Sequence, residues 1–191
     1  MTPEEFLQLA ASQAIVAVER EVSTAGPAAL ALLGTDRAVP LVEFLQHPDR
    51  TIERRTFRFG HLIEPGLTHA DLDHWQGRFP RFPLPDDMRR FLLRANGIQL
   101  WADVDARHSY FRFLPLEQWT DLATASFNYI FDVVPLSALV FSDADDAAGF
   151  AVLDTEGSRY LWCDPIAGPE FIGTTVDAML SYWWDHCAIR P

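Results

Sequence analysis

The chain of 191 residues contains no lysine, only two cysteines and no apolar stretch long enough to cross a bilayer. Cys163 and Cys187 stand far apart, which argues against a disulfide framework and is typical of reduced thiols in the cytoplasm. The first residues, Met1-Thr2-Pro3-Glu4-Glu5, are acidic where a secretory signal would be basic. We therefore expect a cytoplasmic protein that does not enter a membrane.

Positive charge is also scarce, since 15 Arg residues oppose 27 Asp and Glu residues and give a formal net charge of −12. Nucleic acids and anionic lipid surfaces attract basic proteins, so neither is an expected partner. An acidic protein is suited to a basic protein partner, with fast and salt-sensitive association. The alternative is that the negative charge serves solubility alone.

Helix signals are clearest in the middle of the chain. Residues 84–97 contain Pro85 where a first helical residue is expected, and Asn96-Gly97 where a helix can stop. Upstream, Thr68 and Asp71 have the spacing of a capping box. These segments predict two short consecutive helices separated by a Leu-Pro break.

Helices are also predicted at both ends of the chain. Pro3 to about Val22 has a broad apolar face, and residues 28–33 suggest a short second helix. We predict that residues 1–62 form a helical extension packed on a domain of residues 63–191. A final helix through Cys187 follows from one apolar stripe, which consists of Val176, Met179, Leu180 and Trp183.

Short aromatic and β-branched runs separated by acidic turns predict strands after Gly97. The runs are residues 98–102, 109–114, 139–141, 149–153 and 159–163, and the polar segment 51–59 predicts one more strand. Successive strands with tight turns, and helices grouped at the two ends, indicate an antiparallel α+β domain.

From about Glu64 to the C-terminus, the order of these segments resembles the SUKH superfamily. The resemblance lies in the two helices with their Leu-Pro break, Phe91-Leu92 and Asn96-Gly97. It continues in Phe113–Trp119, a strand followed by a Pro-Leu-Glu helix, and in an acidic-turn hairpin formed by residues 140–143 and 149–154. The resemblance implies an antiparallel sheet with helices packed on one side and at the ends.

Catalytic and metal-binding patterns are weak. His69 and His74 are five residues apart, so they do not share the helix face that two metal ligands need. The acidic run at Asp143 fails the EF-hand pattern, because Ala147 and Ala148 occupy a ligand position and the glycine position. No nucleophile elbow or phosphate loop occurs. We expect no enzyme activity, no metal and no cofactor.

The SUKH superfamily contains many bacterial immunity proteins against toxins, and domains of fungal cell-wall regulators. The resemblance and the acid excess together imply an immunity protein that binds a co-encoded toxin stoichiometrically, and a regulatory or scaffold protein is the alternative. An acidic rim of the sheet and one partly exposed Trp of the adjacent pair 183–184 are the candidate contacts with a basic partner. The candidate partner-binding residues are Asp143, Asp145, Asp146, Asp154, Glu156 and Trp184.

Overall fold

The computed structural model describes residues 1–26, 48–106, 109, 111–124, 134–144, 149–156, 158–164 and 167–187. The chain divides into two compact units. One consists of Val16–Arg58, and the other combines Met1–Ile15 with Phe59–Pro191. The helix predicted at residues 28–33 lies outside the described residues.

Four α-helices occur in the described residues. They are α1 (Pro3–Ser12), α2 (His69–Arg78), α3 (Asp86–Leu92) and α4 (Val176–Tyr182). A 3-10 helix spans Leu116–Gln118, and α4 continues as a π-helical turn over Trp183–Cys187. The predicted capping box of α2 is confirmed, because Asp71 N–H donates to Thr68 Oγ1 at 3.2 Å and Thr68 N–H donates to Asp71 Oδ2 at 2.9 Å.

The described strands form an antiparallel sheet. They are β1 (Val16–Ala25), β2 (Arg50–Pro65), β3 (Ala95–Asp103), β4 (Phe111–Phe113), β5 (Thr120–Asp121), β6 (Leu139–Ala144), β7 (Phe150–Asp154), β8 (Arg159–Asp164) and β9 (Gly168–Gly173). Within the larger unit the order runs β2-β3-β4-β6-β7-β8-β9, with β5 paired to β6. The predicted α+β class is therefore confirmed. Strand β9 was not predicted, since its sequence Gly-Pro-Glu-Phe-Ile-Gly lacks alternation.

The unit Val16–Arg58 contains β1 and the first part of β2 as neighbouring strands. Thr24 Oγ1 lies 2.6 Å from Thr51 Oγ1, and the N–H of Gly26 donates to the carbonyl of Asp49 at 2.7 Å. The predicted strand over residues 51–59 is thus confirmed, and it is polar and largely exposed.

The prediction of one long N-terminal helix is only partly right. The helix ends at Ser12, and Val16–Ala25 is a strand. Val16, Val18 and Val22 are β-branched and fall on alternate positions of this segment, a pattern that favours a pleated strand over a helix. The helical extension predicted over residues 1–62 is therefore wrong for β1 and for the first part of β2.

Helix α3 also ends earlier than predicted. Its last carbonyl, that of Leu92, accepts the N–H of Leu67 at 2.9 Å. A continuing helix would need the same carbonyl for the N–H of Asn96. Asn96 and Gly97 instead lie in β3, where Gly97 has a φ of 129°.

The sheet is buried on both of its faces at β7 and β8. Along β7, Ala151 and Leu153 point into the cluster that the helices cover, whereas Phe150 and Val152 point into a second cluster. Leu122, Val134 and Ala138 also belong to the second cluster. Apart from Ala10 of α1, the buried residues of the four α-helices belong to the first cluster, which confirms helices packed on one side.

Phe91 of α3 tests this packing, because its side chain is fully buried and its ring centroid lies 5.1 Å from that of Phe113. We expect Phe91→Ala to lower the free energy of unfolding by about 3–5 kcal/mol, since it leaves a cavity in the core. Phe171→Ala is the matched control, because Phe171 is 57% exposed and its loss should cost less than about 1 kcal/mol. Urea unfolding followed by Trp fluorescence measures both, and equal losses would contradict the described core.

Candidate functional site

The predicted acidic rim is described only in part. Asp145 and Asp146 lie outside the described residues, and Asp143 is described in backbone only. In β6, Asp143 stands opposite Arg112 of β4 and Phe150 of β7. Its role in partner binding therefore stays a prediction.

Asp154 is not presented on an exposed surface. Its side chain is 4% exposed, and Arg159 Nη2 lies 2.6 Å from its Oδ2. The two residues are opposite each other in the β7–β8 hairpin, which confirms the predicted turn between these strands. The contact stabilises the hairpin end, and the role of Asp154 in partner binding stays a prediction.

Glu156 and Trp184 have different surroundings. Glu156 is exposed in the turn after β7. Trp184 is half-buried, and its ring lies 5.7 Å from that of Phe6 and 5.6 Å from that of His61. Trp183 is buried, so the expectation that one Trp of the pair is partly exposed holds for Trp184. Much of the Trp184 ring is used in packing against α1.

Cys163 has the character of a core residue. Its side chain is fully buried in the second cluster, and burial raises the pKa of its thiol to about 12. A reactive cysteine needs the opposite shift, because the thiolate is the nucleophile. Among the described residues, no group of three or more His, Cys, Asp or Glu side chains could hold a metal ion. No helix in those ranges is long and apolar enough to cross a membrane.

Residues 115–118 form a surface segment, called here the ridge, that carries the 3-10 helix. Pro115 caps this helix without a side-chain hydrogen bond. Asn96 supplies the missing cap from β3, because its Oδ1 accepts the N–H of Leu116 at 2.8 Å. Its Nδ2 donates to Glu117 Oε2 at 3.1 Å. One side chain therefore holds the ridge and orients the exposed carboxylate of Glu117.

A polar groove with a volume of about 320 Å³ lies on one side of this ridge. Its polar side chains come from the end of β2, from β3, from β4 and from the ridge itself. Gly97 lets the walls approach, because a Cβ there would lie 3.2 Å from Pro115 Cγ and 3.4 Å from Glu64 Cγ. The lining residues are Glu64, Pro65, Asn96, Gly97, Ile98, Gln99, Arg112, Phe113, Leu114, Pro115, Glu117 and Gln118.

An aromatic groove of about 240 Å³ lies beside the same ridge and shares Glu117 with the polar groove. Trp75 and Phe79 of α2 form its wall, with ring centroids 5.1 Å apart. The guanidinium of Arg78 lies 5.5 Å from the centroid of the Phe79 ring. The lining residues are Leu67, Asp71, His74, Trp75, Arg78, Phe79, Leu116 and Glu117.

Sequence reasoning missed both grooves, although it singled out the segment that separates them. The Pro-Leu-Glu run was recognised as a structural feature of the resemblance, and Glu117 was not weighed as a contact residue. Glu64, Gln99 and Arg112 come from three strands whose register sequence patterns do not provide. The sequence signal that could have indicated this site is Glu117, an acidic residue in a short capped turn between two apolar segments.

The described residues form an α+β fold, in which an antiparallel sheet carries helices on one face and two grooves lie beside residues 115–118. The model of the SMI1 / KNR4 family (SUKH-1) matches residues 66–181, which is more than half of the chain. The chain belongs to this family, and the resemblance predicted from the sequence is confirmed. Comparisons with curated proteins and with solved structures find no match.

The burial of Cys163 predicts that this thiol is inert in the folded protein. In a Cys187→Ser variant, we expect no reaction of Cys163 with a disulfide reagent at pH 8 until denaturant is added, because burial disfavours the thiolate. The absorbance of the released thiol measures the reaction. Rapid reaction without denaturant would contradict the described position of Cys163.

The double role of Asn96 predicts a stability effect at the ridge. We expect Asn96→Ala to lower the free energy of unfolding by about 1–2 kcal/mol, since the N–H of Leu116 loses its cap. Asn96→Asp keeps an acceptor for Leu116 but places a second carboxylate beside that of Glu117, so its stability should be reduced by a charge repulsion that weakens as salt increases, whereas the loss in Asn96→Ala should not depend on salt. If Asn96→Ala left the free energy of unfolding in urea unchanged, the hydrogen bond from Leu116 to Asn96 would not contribute to stability.

Proposed function

We propose that this chain is a non-catalytic immunity protein that acts in the cytoplasm and neutralises a co-encoded bacterial toxin by stoichiometric binding. The family supports a SUKH-domain protein, and the distribution of charge supports a basic protein partner. The proposal assigns no chemistry to the chain. The chain acts by covering the surface of the toxin that is required for toxicity.

The observation that carries the proposal is where the negative charge lies. The unit Met1–Ile15 with Phe59–Pro191 holds 21 acidic residues against nine Arg. The unit Val16–Arg58 holds six of each, so the whole net charge of −12 belongs to the unit that contains the SUKH match. A field of one sign speeds the encounter with a partner of the opposite sign and suppresses other partners.

The proposed absence of catalysis rests on the state of the groups that could act as nucleophiles. Cys163 is buried with a raised pKa, and burial also raises the pKa of the buried Tyr160 hydroxyl well above its usual range. Both shifts favour the protonated, unreactive form. Neither residue lines one of the two grooves beside the ridge.

A regulatory or scaffold protein with a cellular partner is the second candidate. It would use the same acidic surface, and the family description covers it equally. Gene position separates the two, because an immunity protein is encoded next to its toxin. If that toxin is a nuclease, an acidic surface would compete with nucleic acid for its phosphate-binding groove.

Calorimetry at low and high salt tests the proposal with the purified product of the neighbouring gene. We expect one-to-one binding that weakens as salt increases, because the attraction between unlike charges is screened. In stopped-flow experiments, salt should slow association more than it speeds dissociation. Absence of binding at both salt concentrations would overturn this pairing and favour the regulatory alternative.

A further inference from the structure

The ridge at residues 115–118 divides a polar groove from an aromatic groove, and Glu117 faces both. We propose that an extended basic segment of the protein partner crosses this ridge, with an Arg side chain in the polar groove and an apolar side chain in the aromatic groove. This inference rests on the proposed protein-binding function. It assigns that function a surface and a partner chemistry.

The polar groove is rich in hydrogen-bond acceptors. Glu64 and Glu117 contribute carboxylates, and Pro65 and Pro115 contribute rim backbone that has no N–H to donate. The side-chain oxygen of Gln99 is buried and accepts no hydrogen bond from the described residues. Such an acceptor is costly unless a donor reaches it. A guanidinium offers five donors and no acceptor, so it matches this set.

Glu117 is the carboxylate left for the partner. Asp71 is already held by Thr68, which donates to it from Oγ1 at 2.7 Å and from its backbone N–H at 2.9 Å. Glu64 and Arg112 each have interactions within the chain. Glu117 accepts a hydrogen bond from Asn96 and forms no ion pair with any Arg in the described part of the chain. Its charge is therefore oriented but not neutralised.

The aromatic groove suits an apolar side chain. Leu116 is 2% exposed and Trp75 is 7% exposed, so the base of the aromatic groove is part of the hydrophobic core. Phe79 is only partly buried and packs against that core. Rigid aromatic walls next to a charged rim are the usual surroundings of residues that dominate binding energy.

Charge decides between an acidic and a basic occupant. The two grooves together carry three carboxylates, from Glu64, Asp71 and Glu117, against the two cations Arg78 and Arg112. They lie in a unit with a large acid excess, so an acidic segment would be repelled on approach. An extended segment can place side chains in both grooves, because the grooves share Glu117 and meet at a 3-10 helix of only three residues.

The test uses a peptide whose sequence is the same in both directions, acetyl-Phe-Gly-Arg-Gly-Phe-amide, titrated into the full chain. We expect NMR shifts of the Gln99 side-chain amide and of the Trp75 indole. Peptides with citrulline or Glu in place of Arg should bind at least about tenfold more weakly, because they lose the positive charge. A Lys peptide of equal affinity would show that a cation suffices and would overturn the guanidinium assignment.

Glu117→Gln is the decisive variant, because it keeps an acceptor for Asn96 and removes only the charge. We expect it to weaken binding of the Arg peptide about tenfold. Glu170→Gln is the matched control, since Glu170 is exposed, accepts a hydrogen bond from Tyr182 and lines neither groove, and it should change affinity less than about twofold. Equal urea midpoints of the two variants confirm that both are folded.

The outcomes separate this surface from the proposed function. Absence of shifts at Gln99 and Trp75 at millimolar peptide, or loss of binding in Glu170→Gln but not in Glu117→Gln, overturns the ridge as the docking site. If the neighbouring gene's product binds Glu117→Gln as tightly as the parent chain, the immunity proposal stands and the surface assignment fails. If that product does not bind the parent chain while the peptide does, the surface stands and the toxin pairing fails.

Discussion

Phe113 of β4 is the side chain on which the rest of the domain depends. Its ring lies 5.1 Å from that of Phe91 on α3, 5.5 Å from that of Phe141 on β6 and 5.8 Å from that of Trp119 beside the ridge. It also lies 5.7 Å from Trp183, where α4 passes into its final turn. Aromatic contacts of this kind add specificity to the area that they bury. The strand beneath the grooves is thereby joined to the helices and to the ridge.

The ridge beside the two grooves is held by hydrogen bonds at both of its ends. Trp119 anchors the end of the ridge, since its Nε1 donates to the carbonyl of Leu114 at 2.9 Å. Asn96 anchors the start of the ridge from the neighbouring strand. A surface held at both ends loses little conformational entropy when a partner binds, which favours affinity. Binding through such a surface needs no catalytic group, in keeping with a function based on occupancy.

The fold could largely be predicted from sequence, because its signals are local. The capping box of Thr68 and Asp71, the short apolar runs of β7 and β8, and the apolar stripe of α4 each depend on residues within a few positions of one another. One error was local, because the alternating β-branched residues of Val16–Ala25 form a strand rather than part of the predicted helix. Two others occurred where distant residues intervened. The N–H of Leu67 ends α3, and β8 supplies the ladder that makes residues 168–173 a strand.

The candidate site was less predictable than the fold. Sequence order suggested that acidic turns near Asp154 would form a rim, whereas the structure places the Asp154 carboxylate in a buried contact with Arg159. The sequence by itself determined the family, the α+β class and the acid excess, since these follow from composition and from short-range patterns. Only the tertiary structure decided which acids are exposed and which strands meet at the ridge. The physical reason is that register and packing bring Glu64, Asn96, Gln99 and Glu117 together from distant positions in the chain.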